Sequence, residues 1–415
     1  MKILSYANRL ARCLLGAAVL ATFAAVSMQA QADPIKIGLL EDQTGEIAIF
    51  TLPKVHGTIL AVEEINAAGG ILGRQIELIA YDPQFDNAKF QKFARRLLQK
   101  DKVDVLFAGA TSASREAVRP IANRFDALYF YTNQYEGGVC DANVIATGAV
   151  PEQQFSTLIP YMMKRFGGRV YTIAADYNFG QISAEWTRVL VKKGGGEIVG
   201  EEMIPMGVSQ FGQTIKNMQK AKPDWIMALT VGASQDSFFE QAHAAKLGIP
   251  MGSSIRIALG FEHKRFAPPA LQDMYVTANW FEEIDREDAN AFKARWRKRW
   301  PKETYISQMG HNAYAGIYLY KKVAEMAGTT DKDAILKVVN KGGVCIDAPE
   351  GRMCIDPKSQ HLSHTITLLS VNPDHSINVI KKWDKIDPYW LSSVGCDLTV
   401  KDHNDQYTPS YLPKK

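Results

Sequence analysis

Little in this sequence advertises chemistry. Its 415 residues contain no G-x-S-x-G elbow, no P-loop, no G-x-G-x-x-G turn and no H-E-x-x-H pair. The usual spacings for acyl transfer, nucleotide binding and zinc-dependent hydrolysis are therefore missing. Cysteine is scarce, with five in all. Cys140, Cys345, Cys354 and Cys396 form no C-x-x-C and no Cys/His metal spacing. An excess of one charge is lacking too. Three of the 48 Lys/Arg and none of the 44 Asp/Glu lie in residues 1–32, so the remainder is close to neutral. A neutral chain has no electrostatic drive toward nucleic acid. Pro/Gly/Ser-rich linkers are also absent.

Only residues 13–26 form a long apolar run, and it is short for a bilayer span of about 20 residues. Lys2, Arg9 and Arg12 precede it and Ala30-Gln31-Ala32 follows it. This is the order of a secretory signal peptide, with cleavage expected after Ala32. Cys13 opens the apolar run rather than closing it, a poor context for lipidation. The expected product is a soluble periplasmic protein and a monomer, with an even number of cysteines in a compartment that permits disulfides.

From residue 33 short β-rich runs alternate with helical stretches. Strands are expected at 35–40, 75–82, 103–109 and 127–132, with helices at 54–67, 87–100 and 112–124 between them. Past Pro151 the rhythm restarts, with strands at 169–176, 197–205, 225–231 and 254–259 and helices at 180–193, 211–221 and 234–246. A connecting strand at 274–281 and helices at 287–298, 308–327 and 332–339 follow, then short strands and loops. Repeated β-α units predict an α/β protein with two doubly wound, mostly parallel-sheet lobes joined by a strand hinge. The expected division is 33–150 with about 283–340 in the N-terminal lobe, 151–282 with about 341–395 in the C-terminal lobe, and 396–415 as a tail. The basic run Lys293-Ala294-Arg295-Trp296-Arg297-Lys298-Arg299 reads as a solvated helix face, or else as a docking patch. His361 and His364 are three apart in an extended stretch and read as a surface pair.

In open α/β sheets ligands bind beyond the carboxyl ends of strands. The loops there are polar or aromatic: Gln43-Thr44-Gly45, Ala110-Thr111-Ser112-Ala113-Ser114, Asn133-Gln134-Tyr135-Glu136-Gly137, Asp176-Tyr177-Asn178 and Gly232-Ala233-Ser234. Each Ser, Thr or Asp before a helix can be a cap and nothing more. Five such loops on one crevice suggest more. Ser112 stands out, because a helix N-terminus presents unpaired N–H groups to a carbonyl or carboxylate oxygen. Tyr131, Tyr135 and Tyr177 add flat walls with a hydroxyl.

Glu63-Glu64-Ile65-Asn66-Ala67-Ala68-Gly69-Gly70-Ile71-Leu72-Gly73 with Tyr81-Asp82 resembles the signature of the Leu/Ile/Val-binding type of periplasmic protein. Tyr131, Tyr135-Glu136-Gly137, Ala174-Ala175-Asp176-Tyr177 and Asp347-Ala348-Pro349-Glu350-Gly351 with Asp356-Pro357 and His361-Leu362-Ser363 are similar to its urea and short-chain amide branch. The resemblance spans about 35–370. It implies the type I periplasmic-binding fold and the substrate-binding protein of an ABC importer. Such a protein has no catalytic residue, metal or cofactor, and its partners are a small polar solute and a membrane permease. The expected ligand residues are Thr111, Ser112, Tyr131, Asn133, Tyr135, Tyr177, Gly232 and Gly260. Thr132-Asn133-Gln134 stands where that branch tends to carry prolines, and Leu259-Gly260-Phe261 departs from its usual polar stretch. The expected solute is urea or a short amide, with a branched-chain or other amino acid as alternative. A cytoplasmic amide sensor and an exported hydrolase are the competing function classes.

Cys345 and Cys354 stand symmetrically about a breaker-rich stretch, so a hairpin would bring them face to face. Cys140 with Cys396 is the second pair considered. Peptide mapping of periplasmic material without reduction should recover the Cys345–Cys354 link and decides whether Cys140 and Cys396 are joined. Free thiols at Cys345 and Cys354 would refute the first.

Overall fold

Runs that are apolar at nearly every position become inner strands of parallel sheets, which are covered on both faces. The structure, a computed structural model, describes residues 33–411; the export segment expected at 1–32 lies outside them. The first strands are β1 (Ile35–Leu40), β2 (Ile76–Tyr81), β3 (Val105–Ala108), β4 (Tyr129–Tyr131), β5 (Val139–Asp141) and β6 (Val144–Ala146). Five of them form one parallel sheet in the order β2-β1-β3-β4-β6. Next come β7 (Arg169–Ala175), β8 (Glu197–Ile204), β9 (Trp225–Leu229), β10 (Met251–Ser253) and β11 (Met274–Ala278). The remainder are β12 (Cys345–Ala348), β13 (Gly351–Cys354), β14 (His364–Val371), β15 (Ile377–Ile386) and β16 (Asn404–Gln406). The second sheet runs β15-β14-β11-β10-β9-β7-β8, parallel from β11 to β8 and closed by antiparallel β14 and β15.

Each sheet has its own buried core. Ile37, Phe107, Phe130, Trp280, Phe292 and Tyr320 belong to the first, and Phe155, Ile159, Trp186, Trp225 and Leu368 to the second. The chain passes between them at 147–150, at 279–280 and at 362–364. The return to the second half is expected at about 341. The β12–β13 hairpin puts Val344, Ala348, Met353, Ile355 and Leu362 into the first core, so the crossing comes some twenty residues later. Nothing in the pattern after Cys345 says which core these short strands will cover. Side-chain amides tie the crossings together. Gln153 Nε2 donates to the carbonyls of Leu362 and Ile386, both at 2.8 Å, and Asn279 Nδ2 donates to Asn312 Oδ1 at 2.8 Å.

The helix expected at 54–67 begins earlier, at Ala48–Ala67, with Pro53 inside it. Proline removes one ladder bond, yet burial of Ile47, Phe50 and Thr51 holds the extra turn. The strand expected at 254–259 is a loop, turned by Ile257 at φ +59°. A helix at Pro151–Phe166 and the β5–β16 pair were not anticipated. The basic run is engaged within the fold: Arg295 bonds Glu64, Arg299 bonds Glu63, and Lys293 Nζ donates to the carbonyls of Glu282 and Ile284. It is therefore a surface laced to its neighbours rather than an open patch. Cys345 and Cys354 are disulfide-bonded, directly opposite on β12 and β13 with Cα atoms 4.1 Å apart. Cys140 is bonded to Cys396, so the segment expected as a tail is fastened to β5.

Helices Ala48–Ala67 and Gln308–Ala327 cross where Gly57 meets Gly310. A Cβ on Gly57 would stand 2.2 Å from the Gly310 carbonyl oxygen. Gly57→Ala should therefore force the helices apart and cost about 1–3 kcal/mol. Denaturant unfolding measures this, and an unchanged midpoint would show that the crossing has slack.

Candidate functional site

The carboxyl ends of β1, β3, β4, β7 and β9 feed the loops that meet between the two sheets. They enclose a cavity of about 50 Å³. Thr111, Ser112, Asn133 and Gln134 come to it from the first half and Tyr177, Phe179, Val231, Gln235, Ile255 and Leu259 from the second. Ile47, Phe50, Thr51, Ala110 and Met309 complete the lining. Ile47, Phe50, Ala110 and Met309 also share one apolar cluster with Phe179, Ile255, Ala258 and Leu259, so the halves touch around the cavity.

Thr111 sets the geometry of the first wall. Its hydroxyl accepts from Ser114 N at 3.1 Å, and Ser114 Oγ accepts from Thr111 N at 3.0 Å. This reciprocal cap starts helix Ser112–Arg124 at the cavity. By helix geometry the N–H groups of Ser112 and Ala113 have no partner within the helix. The Ser112 hydroxyl itself points elsewhere, donating to Glu136 Oε2. Glu136 and Arg115 are both fully buried, with Arg115 Nη2 2.7 Å from Glu136 Oε1. Burial alone would lower the Arg115 pKa, but Glu136, Tyr131, Glu116 and Tyr135 together outweigh it and hold the guanidinium well above its ordinary value. Asn133 Nδ2 donates to the Ala110 carbonyl, which settles the orientation of its amide. Its Oδ1 is buried without a partner, as are Gln134 Oε1 and the Tyr131 hydroxyl. Burial raises the Tyr131 and Tyr177 pKa values, so both remain neutral phenols.

A second layer of charge lies behind the lining. Lys54 Nζ is 2.6 Å from Glu41 and donates to the Gly109 carbonyl at 2.9 Å, bracing the loop after β3. Burial, opposed by Lys54, raises Glu41 to about 7. In the second half Arg256 Nη2 holds Thr230 O at 2.9 Å, while its Nε and Nη1 have no hydrogen-bond partner. Burial, opposed by Glu262, pushes Arg256 down to about 9.

Of the expected ligand residues, Thr111, Ser112, Asn133 and Tyr177 line the cavity together. Tyr131 is buried beside them. Tyr135 is absent from the lining; its hydroxyl bonds His361 Nε2 and its ring lies 4.5 Å from the Arg115 guanidinium. Gly232 and Gly260 are also absent from the lining, and their neighbours Val231 and Leu259 take that place. A Cβ on Gly232 would come 3.4 Å from Glu46 Oε1, and one on Gly260 2.8 Å from the Phe50 ring. Gly260 thus lets the halves approach, whereas at Gly232 the contact would be an ordinary one and the φ of +68° is what favours glycine. Gln43 and Thr44 bond Asp82 instead of facing the cavity. Sequence reasoning missed Phe50, Phe179, Gln235 and Met309, which read as ordinary helix or loop residues. His361 and His364 are buried, not surface residues. Their partners differ, Tyr135 for one and Glu350 for the other. Among the described residues no group of three or more His, Cys, Asp and Glu could hold a metal, and no helix is long and apolar enough to cross a membrane.

The family described as periplasmic binding protein matches residues 34–376. The Leu/Ile/Val-binding protein homolog 6 of Brucella abortus is 22% identical over 360 residues, 85% of this chain and 91% of its own. The leucine-, isoleucine-, valine-, threonine- and alanine-binding protein of Pseudomonas aeruginosa is 22% identical over 381 residues, 90% of this chain and 99% of its own. Among solved structures, an R. palustris ABC-transporter solute binding protein in complex with 4-hydroxybenzoate superposes with a TM-score of 0.75 at 19% identity, covering 87% of this chain and all of that one. The closed form of the Brucella ovis leucine-, isoleucine-, valine-, threonine- and alanine-binding protein gives 0.76 at 18% identity, covering 86% and 97%. At such identity the likeness is one of fold, the type I periplasmic-binding fold with mostly parallel sheets.

The buried His361 makes a stability prediction. Its Nδ1 lies 2.7 Å from the Ser359 carbonyl, and its Nε2 faces the Tyr135 hydroxyl. Burial lowers its pKa from 6.5 to about 4. Folding keeps the ring neutral where the unfolded chain would protonate it. The contribution is thus complete above pH 6.5 and is lost as pH falls toward 4. That loss is about 3 kcal/mol. Unfolding free energies measured across this window should fall less steeply for His361→Gln than for the parent. Parallel curves would mean that His361 does not titrate as its surroundings require.

Proposed function

Because the chain belongs to the periplasmic binding protein family, we propose that it is the extracytoplasmic substrate-binding protein of an ABC importer, capturing a small neutral amide-like solute, urea or a short-chain amide, between its two halves and delivering it to a membrane permease. The observation that carries the ligand assignment is the pairing of groups at the cavity. No Asp, Glu, Lys, Arg or His lines it. Asn133 offers a buried amide oxygen with no partner, and Gln134 a second. The N-terminus of helix Ser112–Arg124 supplies N–H donors to the same cavity. One end therefore accepts N–H and the other donates to a carbonyl, which is the complement of an amide. A zwitterionic amino acid needs compensation for both charges. The nearby acid Glu136 is already paired with Arg115, and Asp176 is exposed. A cavity of about 50 Å³ also favours a ligand of few heavy atoms.

A branched-chain or other amino acid is the second reading. It is favoured by the apolar flank of Phe50, Ile255, Leu259 and Met309 and by the relative from P. aeruginosa named for binding such residues. Affinity separates the two. Urea has about four heavy atoms, and the best small ligands gain about 1.5 kcal/mol per heavy atom, which caps its dissociation constant at about tens of micromolar.

Calorimetry against urea, formamide, acetamide and leucine is the test. Heat with at least one amide and none with leucine is expected. Micromolar leucine binding without heat from any amide would overturn the amide assignment. Asn133→Leu should weaken the bound amide by about 1–3 kcal/mol, because a ligand N–H is left buried without an acceptor.

A further inference from the structure

The family match ends at residue 376, yet the chain beyond it returns to the binding loops. Trp390 and Leu391 are buried in the second core, with Trp390 edge-on to Trp186 at 4.8 Å. Cys396 follows, bonded to Cys140. Then β16 runs antiparallel to β5, and Tyr407 N donates to the Gly138 carbonyl at 2.8 Å. The approach is so close that a Cβ on Gly138, itself at φ +93°, would stand 2.0 Å from the Tyr407 carbonyl oxygen. Two side chains of this strand reach the binding half. Asn404 Oδ1 accepts from Arg119, on helix Ser112–Arg124, at 2.6 Å. Gln406 Nε2 donates to Glu136 Oε1 at 3.1 Å.

We propose that this C-terminal strap belongs to the binding machinery, with Gln406 as a positioning residue that completes the shell of Glu136 and so holds Ser112 and the 133–136 loop in the geometry that receives ligand. The inference rests on reading the crevice as the ligand site. Glu136 Oε2 takes the Ser112 hydroxyl, and Oε1 takes both Arg115 and Gln406. The carboxylate is wholly buried, so solvent does not stand ready to replace a lost donor. A hydrogen bond to a charged group contributes more than a neutral one, and its loss leaves the acceptor under-satisfied. Glu136 lies three residues from Asn133 in the same loop. A displacement of the carboxylate therefore moves the amide oxygen offered to the ligand, and binding groups tolerate only about 0.5 Å of such error. The Cys140–Cys396 bond anchors the strap just before β16.

The test compares Gln406→Met, which keeps the bulk and removes the donor, with the double variant Cys140→Ser/Cys396→Ser. Val339→Ala, a truncation in the first core on helix Lys332–Lys341, serves as the control for general destabilisation. Hydrogen exchange is followed at 112–115 and 133–137, and acetamide affinity is measured by calorimetry. Both strap variants should exchange about tenfold faster at those residues. Acetamide should bind about tenfold more weakly to Gln406→Met, while Val339→Ala leaves both readouts at their parent values. Exchange at 112–115 and 133–137 that is unchanged in Gln406→Met overturns the proposal, as does an equal acceleration in Val339→Ala. If the parent gives no heat with acetamide while the strap variants still exchange faster, the amide reading fails and the strap's positioning role stands.

Discussion

The loops at the strand ends of the first half are organised around one buried carboxylate, Glu136. Glu136 has no exposed surface and is reached from helix Ser112–Arg124 by Ser112 and Arg115, and from the C-terminal strand by Gln406. Its backbone carbonyl also accepts from Trp186 Nε1 of the second half at 3.1 Å. A charge so placed is tolerated only when its shell is full, and removing the cation would leave an uncompensated ion costing about 3–5 kcal/mol. That requirement binds together segments far apart in the chain. It also directs the Ser112 hydroxyl inward, so that in the proposed site the helix N–H groups are the donors. Tyr131 and Tyr135 cover the guanidinium from their ring faces, at 5.2 and 4.5 Å.

Around this polar node the two halves meet through apolar surface. Ile47, Phe50 and Met309 pack with Phe179, Ile255 and Leu259. Such contact is non-directional and scales with area. It favours approach of the halves and carries no chemical selectivity. Buried polar atoms without a partner remain at Tyr131, Asn133 and Gln134, and the proposed selectivity rests on them. Gly260 contributes by lacking a side chain where the surfaces come together.

Helix Ser112–Arg124 was legible to the residue, because a Thr/Ser start and an apolar stripe are local signals. Helix Gln308–Ala327 was equally legible, and the structure caps its start with Ser307. The apolar run 254–259 misled, since periodicity alone does not separate a buried strand from a buried loop. Four of the expected site residues do line the cavity, because loops after parallel strands converge by topology. Tyr135 does not, because aromatic character says nothing about which way a ring turns, and His361 claims its hydroxyl.

By itself the sequence determined the alternation of strands and helices, the crevice at the strand ends and the hairpin that opposes Cys345 to Cys354. All three follow from short-range periodicity, helix caps and turn residues. Tertiary structure alone decided that the 345–354 hairpin covers the first core, that Phe50 and Met309 wall the cavity, and that Gln406 meets Glu136 across 270 residues of chain. The physical reason is the same in each case. A side chain's partner across such a separation is chosen by which buried surface and which unsatisfied charge remain once the sheets have packed, and no local pattern encodes that remainder.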